Sequence, residues 1–270
     1  MTTMPRKRQR LAQNFLKSRR LVAALVAASS IGAQDTVYEI GPGAGIITQE
    51  LAHVARQVVA VEKDPVLAAQ LRKQFQQCPQ VTIVEQDFLL HHVRAQNYKV
   101  FASIPYNITA AIMRKLLYAA NPPQAAYLIV QKEAAQKFAG VPRENQFSLL
   151  AKPWFDLSIG RTLARTDFVP APKVDSVLLC IQQRTAPLIP MRDGKRYRAF
   201  VQYGFRQWTV NLRTSYRAIF THRQWQKIAR NLAFPGDVTP TQLTLTQWVG
   251  LFACFCEHVP ANKQAMIGKR

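Results

Sequence analysis

The 270-residue sequence is short of acidic side chains, of cysteine and of long apolar runs. It has 15 Asp and Glu against 36 Lys and Arg, for a formal net charge of +21. The four cysteines are scattered, which argues against a disulfide scaffold and favours reduced thiols in a cytoplasmic protein. No apolar run approaches the ~20 residues of a membrane-spanning helix, so we expect no membrane partner.

The sequence also lacks a spacing of Cys and His residues that is specific for a metal site. Cys254 and Cys256, with His258 nearby, form a single Cys-x-Cys without a second pair. Structural zinc sites usually combine two such pairs. We therefore expect these cysteines to pack in a late helix, and we expect no metal site.

The positive charge is concentrated at the two ends of the chain. The first 20 residues contain seven basic and no acidic residues, and residues 181–270 contain fourteen basic and three acidic ones. The middle of the chain is nearly neutral. This distribution predicts a globular body with two contacts to a polyanion, for which nucleic acid is the natural partner.

Short β-rich runs alternate with helical stretches until residue 183, which predicts an α/β fold with a mostly parallel sheet covered on both faces. The predicted strands are residues 36–40, 57–61, 81–84, 99–102, 126–130, 155–159 and 174–181. After residue 183 the apolar spacing is helical. The helices predicted there are residues 196–206, 208–219, 222–232 and 244–256. We therefore predict one domain at residues 1–183, with a basic N-terminal arm, and a helical domain at residues 184–270.

A glycine-rich turn follows the first predicted strand. Gly41 and Gly43 belong to a Gly-x-Gly-x-Gly run, where the backbone can approach a ligand and a helix N-terminus offers free N–H groups. NAD-binding loops have Gly-x-Gly-x-x-Gly instead, whereas this spacing also fits S-adenosylmethionine (SAM). Glu62 ends the second strand, where a carboxylate can accept hydrogen bonds from both ribose hydroxyls of either cofactor.

Two further groups of residues follow strands three and four. Asp87 is placed to accept a hydrogen bond from an adenine amino group, and Phe88 to pack on the adenine ring. Residues 103–107 read Ser-Ile-Pro-Tyr-Asn, a pattern typical of enzymes that methylate an exocyclic amine. The Ser103 side chain and the next backbone carbonyl can accept hydrogen bonds from the amino group, while Tyr106 stacks on an extruded base.

These segments, together with residues 13–16 (Gln-Asn-Phe-Leu) and 168–176, resemble the rRNA adenine N6-dimethyltransferase family. Its two bacterial branches are the Erm and the KsgA enzymes. The match covers residues 9–183 in order and spacing. The resemblance implies a Rossmann-like SAM-dependent methyltransferase domain and a small all-helical C-terminal domain that binds rRNA.

The resemblance also implies individual roles, residue by residue. The residues implied to bind SAM are Asn14, Leu16, Gly41, Gly43, Glu62, Asp87, Phe88 and Ser103. The residues implied to form the target-amine site are Ser103, Ile104, Pro105 and Tyr106, with Phe168 as a second aromatic side chain near the base. Ser103 departs from the Asn usual in the family. Because a serine side chain is shorter, the departure favours reduced dimethylation unless a backbone shift compensates.

The choice between the Erm and the KsgA branch depends on smaller local similarities. Residues 13–15 and the tail at residues 243–252 resemble the Erm form, whereas residues 106–109 resemble the KsgA loop. The Erm branch implies a cytoplasmic, monomeric enzyme. It would methylate an adenine in the peptidyl transferase region of 23S rRNA before full assembly, conferring macrolide, lincosamide and streptogramin B resistance. The alternatives are a KsgA-like 16S rRNA dimethyltransferase and a non-catalytic nucleic-acid-binding relative.

Overall fold

A seven-stranded, mostly parallel sheet organises the protein. The computed structural model describes residues 14–206 and 210–267. The strands are β1 (Phe15–Leu16), β2 (Thr36–Ile40), β3 (Gln57–Glu62), β4 (Val81–Glu85), β5 (Lys99–Ser103), β6 (Ala125–Gln131), β7 (Phe155–Leu163), β8 (Phe168–Val169) and β9 (Ser176–Gln183). The sheet order is β4-β3-β2-β5-β6-β9-β7, and β1 pairs separately with β8. The predicted α/β fold is thereby confirmed.

Helices follow most of the strands, as the alternating pattern predicts. They are α1 (Arg19–Ala27), α2 (Ile46–Val54), α3 (Pro65–Gln74), α4 (Thr109–Leu117), α5 (Lys132–Ala139), α6 (Gln146–Ala151), α7 (Gly194–Gly204), α8 (Leu212–Ser215), α9 (His222–Asn231), α10 (Leu245–His258) and α11 (Ala261–Gln264). Short polar side chains begin several of them. Asp64, for example, accepts hydrogen bonds from the N–H groups of Val66 and Leu67 at the start of α3.

The parallel strands are buried on both faces, which explains their continuous apolar sequences. Every residue of β2 is buried, as expected for a parallel strand covered by helices. β2 pairs with β3 on one side and β5 on the other, all three in parallel. The strand order therefore reverses between β2 and β5, and ligands of open α/β sheets bind beyond the carboxyl ends of the strands at such a point.

The described residues divide into two compact units, which separate at residues 183 and 184 and also exchange one internal segment. Residues 136–157 group with the chain from residue 184 onward, while residues 158–183 stay with the first unit. Non-local packing accounts for this. The Trp154 indole donates to the Ile189 carbonyl at 2.9 Å, and its ring lies 5.8 Å from that of Tyr197. Helices α5 and α6, at the start of this segment, were not predicted.

The core of the second unit is unusually aromatic. The Phe200 ring stacks on Tyr216 with centroids 4.8 Å apart and lies 4.9 Å from Phe255, and the Tyr216 hydroxyl donates to the Phe200 carbonyl at 2.6 Å. The predicted helix over residues 208–219 is wrong. In its described part, residues 210–219, only α8 (Leu212–Ser215) is helical. The chain turns after α8 and brings Tyr216 and Phe220 into this core; residues 207–209 lie outside the described residues.

No helix among the described residues is long and apolar enough to cross a membrane.

Candidate active site

The glycine turn opens a space for a ligand at the carboxyl end of β2. Gly41 and Gly43 have φ values of +65° and +57°, a left-handed conformation that glycine adopts at little cost. The Gly41 N–H donates to the Val61 carbonyl at 3.0 Å, which holds the turn against β3. A Cβ at Gly41 would meet no atom within 4 Å. The backbone there is open to a bound molecule.

Glu62 is fixed by the turn it faces. Its side chain is 3% exposed, and Oε2 accepts from the Gly43 N–H at 3.2 Å while Oε1 accepts from the Asp64 N–H at 2.9 Å. Each carboxylate oxygen has a further lone pair that can accept from a hydroxyl. A carboxylate pre-oriented in this way fits the ribose of SAM.

Asp87 and Phe88 lie one strand further along the same edge. The Asp87 carboxylate is 2.7 Å from the Lys63 ammonium and accepts from the Leu89 N–H at 2.9 Å. Lys63 holds the pKa of Asp87 below its usual value. Phe88 is buried, with the Lys115 ammonium 5.4 Å from its ring centroid.

The Ser-Ile-Pro-Tyr segment follows β5, next to the glycine turn. The Ile104 N–H donates to the Ile129 carbonyl at 3.1 Å, and the Pro105 carbonyl accepts from the Ile108 N–H at 3.1 Å. Within the described parts of the chain, neither the Ser103 hydroxyl nor the Ile104 carbonyl forms a hydrogen bond. These two acceptors are therefore available to an amino group.

One cleft brings most of the predicted site residues together. The space it encloses together with its open mouth is about 690 Å³. Its lining consists of Asn14, Phe15, Leu16, Gly41, Pro42, Ala44, Ile46, Ile47, Ser103, Ile104, Pro105, Tyr106, Ile129, Phe168 and Ser176. Gly43, Glu62, Asp87 and Phe88 do not line it. Phe168 is only 3% exposed, so its ring belongs mainly to the core.

Two polar residues of this region were missed as site residues. The Ser176 hydroxyl lies 2.9 Å from the Tyr106 hydroxyl and fixes that ring at the cleft wall. Glu39 is fully buried below the turn; Oε2 accepts from the Thr48 hydroxyl at 2.6 Å, while Oε1 has no hydrogen-bond partner in the described structure. Burial raises the pKa of Glu39 to about 8 against the opposing effect of the Thr48 hydrogen bond, and the Glu62 charge raises it further. An acidic residue inside an apolar strand is the sequence signal for Glu39. Ser176 ends the segment at residues 168–176 that resembles the family, but nothing within that segment distinguishes it.

Asn14 and Leu16 are the part of the predicted N-terminal SAM segment that can be located. Both line the cleft, and β1 (Phe15–Leu16) pairs antiparallel with β8 (Phe168–Val169). Gln13 and the basic arm before it lie outside the described residues.

Comparison with known proteins decides the family. The model for ribosomal RNA adenine dimethylases matches residues 4–254. The chain belongs to this family. An rRNA adenine N-6-methyltransferase of Bacillus licheniformis is 30% identical over 261 residues, 96% of this chain and 90% of that protein. A ribosomal RNA small subunit methyltransferase A of Acaryochloris marina is 32% identical over 261 residues, 92% and 97% of the two chains.

A solved structure matches almost the whole chain. The crystal structure of the 23S rRNA methyltransferase ErmE has a TM-score of 0.84 at 29% sequence identity, covering 90% of this chain and 100% of that one. The protein is thus an rRNA adenine N6-methyltransferase, and SAM is its methyl donor. The open backbone at Gly41 and the oriented carboxylate of Glu62 fit that cofactor.

Proposed function

We propose that the enzyme methylates N6 of an adenine in the peptidyl transferase region of 23S rRNA, before the ribosome is fully assembled. The observation that carries this choice is the match to the 23S rRNA methyltransferase ErmE, which extends over 90% of this chain. Methylation there would block macrolides, lincosamides and streptogramin B from the ribosome. The enzyme would act as a cytoplasmic monomer.

A KsgA-like action on 16S rRNA is the second candidate. The Acaryochloris marina small subunit methyltransferase is as similar in sequence as the Bacillus licheniformis protein. Residues 106–109 also resemble the KsgA loop. Sequence identity therefore does not separate the branches, and the choice of 23S rests on the structural match.

In the proposed mechanism the adenine amino group, which is neutral and weakly nucleophilic, binds where Ser103, Ile104, Pro105 and Tyr106 line the cleft. We call this part of the site the target edge. Tyr106, held by Ser176, stacks on the extruded adenine. The Ser103 hydroxyl and the Ile104 carbonyl accept hydrogen bonds from the two amino N–H groups and orient the N6 lone pair toward the methyl carbon. Pro105 fixes the backbone between these groups, and Phe168 closes the wall beside the base.

The ends of β2, β3 and β4, which we call the cofactor edge, bind the methyl donor in this proposal. SAM supplies an electrophilic sulfonium methyl group, so that an N6–C bond forms as the C–S bond breaks. We propose that Asn14 and Leu16 contact SAM from the N-terminal segment and that the turn at Gly41 lies under its carboxypropyl end. Glu62 accepts from the ribose hydroxyls. The methylated nitrogen then loses a proton to water, which requires no strong protein base.

Asp87 and Phe88 complete the cofactor edge in this proposal. Asp87 accepts from the adenine amine of SAM, because its pairing with Lys63 keeps the carboxylate ionised and leaves lone pairs free. Buried Phe88 packs beneath that ring.

We further propose that basic side chains of the second unit bind rRNA phosphates. Residues 194–236 contain nine basic and no acidic residues. On α9, the exposed side chains of Arg223, Lys227 and Arg230 follow one another at spacings of four and three residues, which places them on one helix face. Among the described residues none of the three forms an ion pair. A row of unpaired cations with no carboxylate nearby in sequence suits a phosphate backbone.

Primer extension on rRNA from cells expressing the protein tests the proposed target. A stop in the peptidyl transferase region of 23S rRNA is expected, together with reduced binding of macrolides to the ribosomes. A stop in 16S rRNA would establish the second candidate. Absence of a stop in both, with SAM binding retained, would indicate a non-catalytic relative. Ribosomes from cells that express Ser103→Ala provide the matched control.

A further inference from the structure

One aromatic side chain connects the glycine turn to the strand that carries Phe168. Phe15 lies in β1, whose register with β8 sets Phe15 opposite Val169 and Leu16 opposite Phe168. The Lys17 N–H extends this pairing by donating to the Asp167 carbonyl at 3.1 Å. The backbone of β1 is therefore tied directly to the strand that carries Phe168.

The ring of Phe15 rests on Gly43. A Cβ at Gly43 would lie 2.5 Å from the ring carbon Cε1 and 2.9 Å from Cδ1, far inside van der Waals contact. The Gly43 N–H in turn donates to Glu62 Oε2 at 3.2 Å. A movement of Gly43 that alters this hydrogen bond would therefore also displace the Phe15 ring.

Filling the core does not require Phe15. Leu16, 6% exposed, and Phe168, 3% exposed, belong to the buried apolar cluster of this unit, and they anchor β1 and β8 there. Phe15 is only half-buried and its side chain lines the cleft. It is not among the half-buried side chains that pack on the buried cluster, and its ring lies against the backbone of Gly43, which indicates a role in the site.

We propose that Phe15 is a positioning residue that couples cofactor binding to rRNA binding. A bound cofactor holds the turn at Gly43 in one arrangement; Phe15 then holds β1, and β1 holds Phe168 beside the target base. Because such coupling is reciprocal, bound rRNA strengthens cofactor binding by the same factor. This inference rests on the roles proposed above for Glu62 and Phe168, and it does not depend on whether the target is 23S or 16S rRNA.

The test measures rRNA affinity with and without saturating S-adenosylhomocysteine, the demethylated form of the cofactor, which occupies the site without reacting. The probe is a fragment of whichever rRNA primer extension identifies, so failure of the 23S assignment changes the fragment and leaves this test intact. The ratio of the two dissociation constants is the coupling factor. We expect at least about fivefold for the parent chain, a factor near one for Phe15→Ala, and restoration in Phe15→Tyr, which keeps the ring.

Variants at the two glycines make the test independent of removing Phe15. Gly43→Ala pushes the ring away and should lower the coupling factor; adding Phe15→Ala to it should cause no further loss, because both changes break one contact. Gly41→Ala is the matched control, with a similar left-handed φ of +65° and no atom within 4 Å of its Cβ. It can weaken S-adenosylhomocysteine binding, but the ratio should stay at the parent value.

Two results would overturn the proposal. One is a coupling factor of one in the parent chain, and the other is a parent-like factor in Phe15→Ala or, if that variant does not fold, in Gly43→Ala.

Discussion

The two proposed parts of the site lie at the ends of neighbouring strands and are built from opposite chemistry. The proposed cofactor edge follows β2, β3 and β4. Its carboxylates do not line the cleft; Glu62 is bound by backbone N–H groups and Asp87 by Lys63. The target edge follows β5 and has neutral groups: Ser103 and Tyr106, with Ser176 behind them.

This difference matches the two ligands. SAM carries a positive sulfonium and ribose hydroxyls, both of which favour a negative, hydrogen-bond-accepting surface. Adenine is neutral, so a carboxylate beside it would have to be desolvated without a compensating charge. Neutral acceptors and an aromatic face bind the base at lower cost. The edges should therefore respond differently to substitution and to pH.

The largest effect is expected for Glu39, the buried carboxyl below the cofactor edge. Its pKa of about 8 in the folded protein exceeds the ordinary 4.5, so the native state holds one more proton than the unfolded state between these values. The free energy of unfolding should then fall as pH rises from 4.5 to about 8. At about 1.4 kcal/mol per pH unit, the fall amounts to a few kcal/mol.

Glu39→Gln removes this titration while keeping the side-chain shape. Urea unfolding of both chains across that pH range should show a smaller decline for Glu39→Gln, and the difference between the two curves cancels the other titrating groups. Parallel curves would mean that the Glu39 carboxyl is ionised in the native state.

The next effect concerns Tyr106, on the target edge. Tyr106→Ala should lose stacking worth about 1–3 kcal/mol in methyl transfer at subsaturating rRNA. Tyr106→Phe should lose only the hydrogen bond to Ser176, about 0.5–1.5 kcal/mol. Ser176→Ala is the matched control, since it removes the same bond and keeps the phenol. Equal rates in Tyr106→Ala and Tyr106→Phe would rule out stacking.

The smallest effect on the chemistry is expected from the basic N-terminal arm. Deleting residues 1–10 removes four basic residues and leaves the segment at residues 13–16 intact. The dependence of rRNA affinity on salt should become shallower, by up to about 0.7–0.9 in slope for each lost phosphate contact. SAM affinity and the rate at saturating rRNA should stay at parent values. A parent-like salt slope would show that the arm does not touch RNA.

Local features of the sequence predicted the fold, and most of the residues they singled out for the site line one cleft. The turn at Gly41, the strand end at Glu62 and the loop at Ser103 each depend on residues adjacent in the chain, and periodicity predicted the strands on which they lie. Packing between distant segments was not predictable in this way. Tyr106 and Ser176 are 70 positions apart, and Trp154 joins the second unit through contacts with residues 189 and 197.

The chemical separation of the two edges is tested most directly by measuring SAM affinity and the single-turnover rate of methyl transfer in Glu62→Ala and Ser103→Ala. Glu62→Ala should weaken SAM binding by roughly 1–3 kcal/mol, as for a lost hydrogen bond to a charged group. At saturating SAM and rRNA it should retain much of its rate. Ser103→Ala should bind SAM and rRNA nearly as the parent does and transfer the methyl group more slowly. The account is contradicted if Ser103→Ala transfers the methyl group at the parent rate, or if both variants lose SAM affinity alike. Either result would mean that cofactor binding and orientation of the target amine are not separated between the two edges.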